Sequence, residues 1–113
     1  MTPRFDAHQV ALELIRALAP ILDAVARRDR DLAQQLRRSA SSVPLNVCEG
    51  SQRRGADRSQ FYRIAAGSAS ETRAALEVAA AWGYVDVASL TTVQHLLDRV
   101  IAMLWRLTHG RGS

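Results

Sequence analysis

Apolar residues recur along the chain at the spacing of α-helices, in four segments separated by short polar stretches. The first segment covers residues 6–28, with Asp6 as its expected N-cap. Pro20 lies inside it and has no N–H to donate, so we expect a kink near residues 16–20. The apolar positions follow at intervals of four, three and four residues, which places them on one helix face: Leu14, Leu18, Ile21 and Val25.

The second segment begins at Asp29 or Asp31 and has a narrow apolar stripe of small residues. Pro44 lies within it, so the helix is either bent or briefly broken around residues 41–44. Gly50 is its expected C-cap, because glycine readily takes the left-handed conformation that ends many helices. Residues 51–56 then form a polar loop. The stripe consists of Leu32, Leu36, Ser39 or Ala40, Val43 and Val47.

The third segment gives the strongest helix signal and extends for about 25 residues to Gly83. Asp57 is its expected N-cap, and Gln60 three residues later completes a variant of the capping box. Gly67, in the middle of the segment, would let another helix approach closely. The expected inner face consists of Phe61, Ile64, Ala65, Ser68, Thr72, Ala75, Leu76, Ala79 and Trp82.

The fourth segment begins at Ser89 and ends around His109 and Gly110. Its broad apolar face consists of Val93, Leu96, Leu97, Val100, Ile101, Leu104 and Leu107. Short connections between four amphipathic helices predict an all-α, antiparallel, up-down-up-down four-helix bundle. We expect one domain over residues 1–113, with an ordered core over residues 6–109 and a disordered tail at 111–113.

Composition supports this class and excludes others. The chain has 113 residues, of which 48% are hydrophobic, as in ordinary globular proteins. No stretch approaches the roughly 20 uninterrupted apolar residues of a membrane span, and the first residues do not resemble a signal peptide. The single cysteine, Cys48, excludes an internal disulfide and is expected to be half-buried in the second helix. We therefore expect a soluble protein of the cytoplasm with no membrane association.

The patterns that carry catalysis or metal binding are missing. Di-iron four-helix bundles need glutamates followed by histidine three positions later, and none of Glu13, Glu49, Glu71 and Glu77 is followed in this way. No histidine lies near Cys48 in the sequence, and no glycine-rich phosphate loop is present. We therefore predict no catalytic residue, no metal site and no cofactor.

Polar residues stand at core-like spacing in the second and third helices. Asn46 and Glu49 lie one turn apart, as do Ser68 and Glu71. If they face the seam between the helices they must satisfy one another, because an unpaired buried polar group costs about 1–3 kcal/mol. We predict a hydrogen-bonded network of these four residues together with Arg37 or Arg38. The alternative is that both glutamates are simply exposed.

Positive charge is concentrated in one part of the chain. The net charge is +4 and every basic residue is arginine, which reflects either coding bias or phosphate binding. Residues 27–63 hold nine arginines and four acidic residues, whereas the rest holds six and seven. We predict a phosphate-binding face that includes Arg27, Arg30, Arg37, Arg38, Arg53, Arg54, Arg58 and Arg63. Only Phe61 and Tyr62 lie close by as stacking partners, so base-specific readout of single strands is not expected.

Two blocks of sequence resemble a known family. The first reads QLRRSA at 35–40 and S-V-P-x-N-V-x-E-G at 42–50, followed by Arg53 or Arg54, and the second reads F-x-x-x-A-x-G-S-x-x-E at 61–71. Both resemble the four-helix bundle proteins encoded in 23S rRNA intervening sequences, a group that includes the accessory variability proteins of diversity-generating retroelements. The sequence departs from the family pattern at Cys48, Gln52 and Thr72.

This resemblance implies a four-helix bundle that assembles as a homopentamer and has no catalytic activity. It also implies a basic surface for nucleic acid and, in the retroelement branch, a reverse transcriptase partner. Oligomerisation is expected on separate grounds, because a bundle of this size cannot readily bury every large side chain at its helix ends. The candidates for such contacts are Trp82, Tyr84, Trp105 and Leu107.

Two functions stay open at this point. In the first, the protein is an accessory factor that binds RNA or DNA through phosphate contacts. In the second, it is an oligomeric scaffold or adaptor for a protein partner such as a reverse transcriptase, with the arginines in subunit contacts.

Overall fold

Four long helices account for nearly all of the chain in the computed structural model, which describes residues 3–110 and their side chains from residue 6. A short 3-10 helix, Val87–Leu90, precedes the last of them. No strand occurs within this range. The long helices are Pro3–Arg28 (α1), Arg30–Ser51 (α2), Gly55–Ala81 (α3) and Thr91–His109 (α4).

Each helix packs against two neighbours. α1 lies against α2 and α4, and α3 lies against the same two helices. Asp29 alone connects α1 to α2, and residues 52–54 connect α2 to α3, so the chain must reverse direction at each turn. The molecule measures 44 × 23 × 19 Å. The predicted all-α, up-down-up-down four-helix bundle is therefore confirmed, while the tail at 111–113 lies outside the described residues.

Some helix ends differ from the predictions. Asp29 is the N-cap of α2, and its carboxylate accepts a hydrogen bond from the Leu32 amide at 2.9 Å. Asp6 and Asp57 are not N-caps, because each lies within the first turn of its helix. An acidic residue there still interacts favourably with the helix dipole, which explains why both resemble caps in the sequence.

The two internal prolines do not interrupt their helices. α1 continues through Pro20, and α2 continues through Pro44, so the break considered at residues 41–44 does not occur. Each proline removes the N–H that would bond the carbonyl four residues earlier, at Arg16 and Ala40. The packing of α2 against both neighbours compensates for that loss.

The inner face of α3 is rotated relative to the prediction. Ile64 and Trp82 are exposed, whereas Tyr62 is fully buried. The physical reason is that the buried face of α3 is built mainly from alanine, so its largest side chains do not mark the core. The buried residues of this helix are Ser59, Tyr62, Ala65, Ala69, Thr72, Ala75, Leu76 and Ala79.

Gly50 is a packing residue rather than the predicted C-cap. It is buried within α2, which continues to Ser51 and is capped by Gln52. A Cβ atom at this position would lie 2.6 Å from Cε1 of Tyr62 and 2.8 Å from its Cδ1. The missing side chain therefore lets the backbone of α2 lie directly on the buried Tyr62 ring.

A ladder of hydroxyl groups continues the contact between α2 and α3. Ser39 Oγ lies 2.9 Å from Thr72 Oγ1, and both side chains are buried. One turn away, Ser68 donates to Ser42 Oγ at 2.8 Å. Asn46 donates its amide to the same Ser42 Oγ at 2.8 Å. These bonds fix the register of the two helices, because each buried hydroxyl needs its partner.

The predicted four-residue network is thus corrected. Asn46 and Ser68 meet through Ser42, but Glu49 forms an ion pair with Arg53 at 2.8 Å. Glu71 is exposed, and no hydrogen bond joins it to the other three within residues 3–110. Glu49 and Glu71 lie outside the seam, because the hydroxyl and amide groups there form hydrogen bonds with one another and no carboxylate has to be buried.

The Gly50 contact predicts opposite effects for two glycine-to-alanine substitutions. G50A should lower the free energy of unfolding by about 1–2 kcal/mol, since overpacking against Tyr62 outweighs the gain in helix propensity. G67A should raise it by about 0.5–1 kcal/mol, because a Cβ there meets no atom within 4 Å. Urea unfolding of both variants measures this, and stabilisation by G50A would contradict the packing role.

The hydroxyl ladder predicts energetic coupling at one pair and none at another. A double-mutant cycle on S39A and T72V should give a coupling of about 0.5–1.5 kcal/mol in chemical unfolding. The matched cycle on N46A and E71A should be additive, because these side chains are not in contact. Coupling in the second cycle and additivity in the first would show that the seam has been assigned to the wrong residues.

Candidate nucleic-acid interface

The eight predicted arginines do not form one continuous face. Along α2, fourteen residues separate Arg37 from Ser51, where the α2–α3 turn begins, which corresponds to about 21 Å. We call the residues on the α1–α2 side the first arginine group: Arg27, Arg30, Arg37 and Arg38. We call those at the α2–α3 turn and the start of α3 the second arginine group: Arg53, Arg54, Arg58 and Arg63.

The first arginine group lies beside a polar groove between α1 and α2. Arg30 and Arg37 line this groove together with Gln34 and Asp23. Seven residues separate the two arginines, so they lie two turns apart on one side of α2. All four members of the group are exposed, and none forms an ion pair within the described part of the chain.

Within the second arginine group, Arg53 is occupied by contacts inside the chain. It pairs with Glu49 at 2.8 Å and with Asp57 at 3.3 Å, and its guanidinium lies 5.1 Å from the centre of the Phe61 ring. The hydrogen bond to Glu49 raises the pKa of Arg53 above its ordinary value. This residue therefore organises the turn, and its positive charge is largely compensated.

The other three arginines of this group differ in whether their guanidinium groups are free to bind a ligand. Arg58 donates from Nε to the Gly50 carbonyl oxygen at 3.4 Å, which anchors the start of α3 to the end of α2. Arg54 and Arg63 are exposed and have no ion pair within residues 3–110. Tyr62, one of the two aromatic residues expected nearby, is fully buried and is not accessible for stacking.

The fold brings an aromatic pair to this end of the bundle that sequence reasoning did not connect with the arginines. Trp105 is 60% exposed and stacks on His109 with 4.4 Å between ring centroids. Because α4 runs antiparallel to α3 and Asp98 pairs with Arg73, the last residues of α4 lie level with residues 62–66 of α3. The spacing of four residues between tryptophan and histidine was the available signal for the stack, and only the fold places it near the level of Arg63.

Contacts at the opposite end of the bundle involve Tyr84. Its hydroxyl donates to Asp29 Oδ2 at 3.3 Å, and the Arg28 guanidinium lies 5.4 Å from its ring centre. Burial, followed by the neighbouring Asp29 carboxylate, raises the pKa of Tyr84. The Tyr84 side chain is thus held by contacts within the chain, whereas the neighbouring Trp82 is 67% exposed.

The described side chains that could bind a metal ion or act as a nucleophile lie apart from one another. Within residues 3–110, no group of three histidine, cysteine, aspartate or glutamate side chains is placed to hold a metal ion. Cys48 is exposed rather than half-buried, because it lies on the outer side of α2. Among the helices that the structure describes, none has the length and apolar character needed to cross a membrane.

Comparisons with known proteins agree with the architecture. The structure is similar to the crystal structure of a protein with unknown function from the S23 ribosomal protein family of Bacteroides thetaiotaomicron VPI-5482, with a TM-score of 0.83. The two are 19% identical, and the match covers 91% of this chain and 98% of that one. At this identity the likeness shows the fold alone. A search of curated proteins finds no match.

A family model provides the assignment. The model for the 23S rRNA-intervening sequence protein family matches residues 4–106. This range includes α2 and α3 completely, all but the first residue of α1 and all but the last three residues of α4. It therefore contains the hydroxyl ladder and both arginine groups. The chain therefore belongs to the 23S rRNA-intervening sequence protein family.

Proposed function

We propose that this protein is a non-catalytic accessory factor that binds RNA or DNA through its two arginine groups. The observation that carries the proposal is the state of six of these arginines, which are exposed and have no ion pair within residues 3–110. A guanidinium that is not held by a carboxylate is available for bidentate contact with phosphate. The six are Arg27, Arg30, Arg37, Arg38, Arg54 and Arg63.

The arrangement of these arginines favours contacts with the nucleic-acid backbone. Two groups at least about 21 Å apart along α2 suit an extended polyanion better than a small anion. Within residues 3–110 each long helix packs against two others and none projects to enter a groove. We therefore expect these arginines to bind phosphates and to read little of the base sequence. The link of the family with 23S rRNA in its name is consistent with a nucleic-acid partner.

Neutral substitutions in each arginine group test this proposal. R30Q/R37Q and R54Q/R63Q should each weaken binding of a labelled RNA strand. Each should also lower the slope of log affinity against log salt by about 0.7 for every phosphate that is no longer neutralised. Fluorescence anisotropy over a range of salt concentrations provides both quantities.

R16Q/R99Q is the matched control, because it also removes two charges and neither arginine belongs to either group. Arg99 lies on α4, 4.0 Å from Glu13, and Arg16 lies exposed on α1. This variant should leave affinity and slope unchanged. Equal losses of affinity in all three variants would indicate a general charge effect, and absence of binding at low salt would contradict the proposal.

A second candidate function is an oligomeric scaffold or adaptor for a protein partner such as a reverse transcriptase. The observation that favours it is an apolar line on the outer face of α3, where Ile64, Val78 and Trp82 are exposed. Their separations of 14 and 4 residues correspond to nearly whole numbers of turns, so they share one side of the helix. The family resemblance suggests a homopentamer as the assembly.

Native mass spectrometry tests this assembly. At micromolar concentration we expect a species of five times the chain mass of 12.4 kDa, since exposed apolar faces of this kind mark subunit contacts. V78S/W82S should shift the distribution toward smaller species while leaving the helical content unchanged. A monomer in the unsubstituted protein would contradict the oligomer proposal and would leave nucleic-acid binding open to its own test.

A further inference from the structure

Trp105 forms an aromatic platform outside the core near the end of α4. Its indole lies on the His109 imidazole with only 10° between the ring planes. The imidazole Nδ1 lies 3.0 Å from the Trp105 carbonyl oxygen and 2.9 Å from Thr108 Oγ1. These contacts order the ring pair while the indole itself remains mostly exposed.

A shallow groove lies along α4 next to this platform. It combines an apolar floor, an aromatic wall and a cation. The one carboxylate among its lining residues, Asp98, forms an ion pair with Arg73 of α3, so its negative charge is compensated. The lining residues are Asp98, Ile101, Ala102, Trp105 and Arg106.

The platform lies near the level of Arg63, the member of the second arginine group that is furthest along α3. The contact between Arg73 and Asp98 gives the register of α3 against α4. Trp105 lies seven residues beyond Asp98, and Arg63 lies ten residues before Arg73, which correspond to about 10 and 15 Å toward the same end. Arg106 adds a further exposed cation next to the indole. An aromatic surface and two exposed cations, Arg63 and Arg106, therefore lie near the same level of the bundle.

We propose that the Trp105 platform stacks an unpaired base of a single-stranded nucleic acid whose phosphates contact Arg106, Arg63 and, further along the strand, Arg54. This inference rests on the proposed function and narrows its ligand to strands with accessible bases. Aromatic side chains beside a basic surface bind single strands in this way, because every base has a π-face. It adds Trp105 to Phe61 and Tyr62, the two aromatic residues that the sequence places near the arginines.

The charges around the indole favour this occupant over a second copy of the chain. An apolar subunit contact usually has a core depleted of charge. Here Arg106 flanks the indole directly and Arg63 lies at the same level. A symmetric contact between two copies would place these cations close to their equivalents, whereas a polyanion would complement them.

The two tryptophans allow a direct test, because Trp82 lies at the opposite end of the bundle. In W82F, Trp105 is the only indole of the chain. We expect an oligothymidylate of about ten nucleotides to quench its fluorescence. An abasic strand with the same number of phosphates should leave the fluorescence unchanged. In W105F, where only Trp82 reports, neither strand should quench.

Affinities measured by anisotropy complete the test. W105A should weaken binding of the oligothymidylate about tenfold and leave the affinity for the abasic strand unchanged, whereas V87A, at an exposed residue of the opposite end, should change neither affinity. Equal affinity of the unsubstituted protein for both strands, without quenching of Trp105, would overturn this inference and leave phosphate binding intact. Failure of every strand to bind at low salt would remove the proposed function and the stacking site together.

Discussion

The direct contact between the Gly50 backbone and the buried Tyr62 ring determines how α2 and α3 are placed. With no side chain at Gly50, the two helices approach closely at the turn that joins them. From there the hydroxyl ladder of Ser39, Ser42, Ser68 and Thr72 continues the same register along the seam. Because α4 packs on α3, this register also decides which residues of α4 lie beside the turn. The position of every candidate functional residue at that end follows from one glycine and a few small polar side chains.

The contact between α2 and α3 is stabilised by hydrogen bonds between uncharged side chains. The charged residues therefore remain on the surface, where they can bind a ligand. Hydroxyl and amide groups satisfy the interior between α2 and α3, and the carboxylate of Glu49 remains at the surface with Arg53. That ion pair stiffens the turn, and Arg58 adds a hydrogen bond to the Gly50 carbonyl oxygen. Arg53 and Arg58 therefore hold the turn in place, whereas Arg54 and Arg63 have no ion pair within residues 3–110 and present their charge to solvent.

The helices and their order follow from the spacing of apolar residues, because that signal is summed over many positions. The roles of single residues depend on contacts that only the fold creates. Asp57 resembles an N-cap, since acidic residues favour the first turn as well as the cap. Gly50 resembles a C-cap, because glycine follows the last turn of many helices. Its contact with the Tyr62 ring depends on the fold and has no signal in the sequence. The association of Trp105 with Arg63 has no local sequence signal, because 42 residues separate them and only the α3–α4 register brings them to one level.

The end of the bundle formed by the α2–α3 turn and the end of α4 is thus the proposed binding surface for single-stranded nucleic acid. Photo-crosslinking of a 4-thiothymidine strand, followed by mass-spectrometric mapping of the linked peptides, tests this assignment most directly. We predict crosslinks to the peptide that contains Trp105 and to the peptide around Arg54, which disappear on addition of excess unlabelled strand. Crosslinks confined to the peptides around Trp82 and Tyr84, at the opposite end, would contradict the assignment.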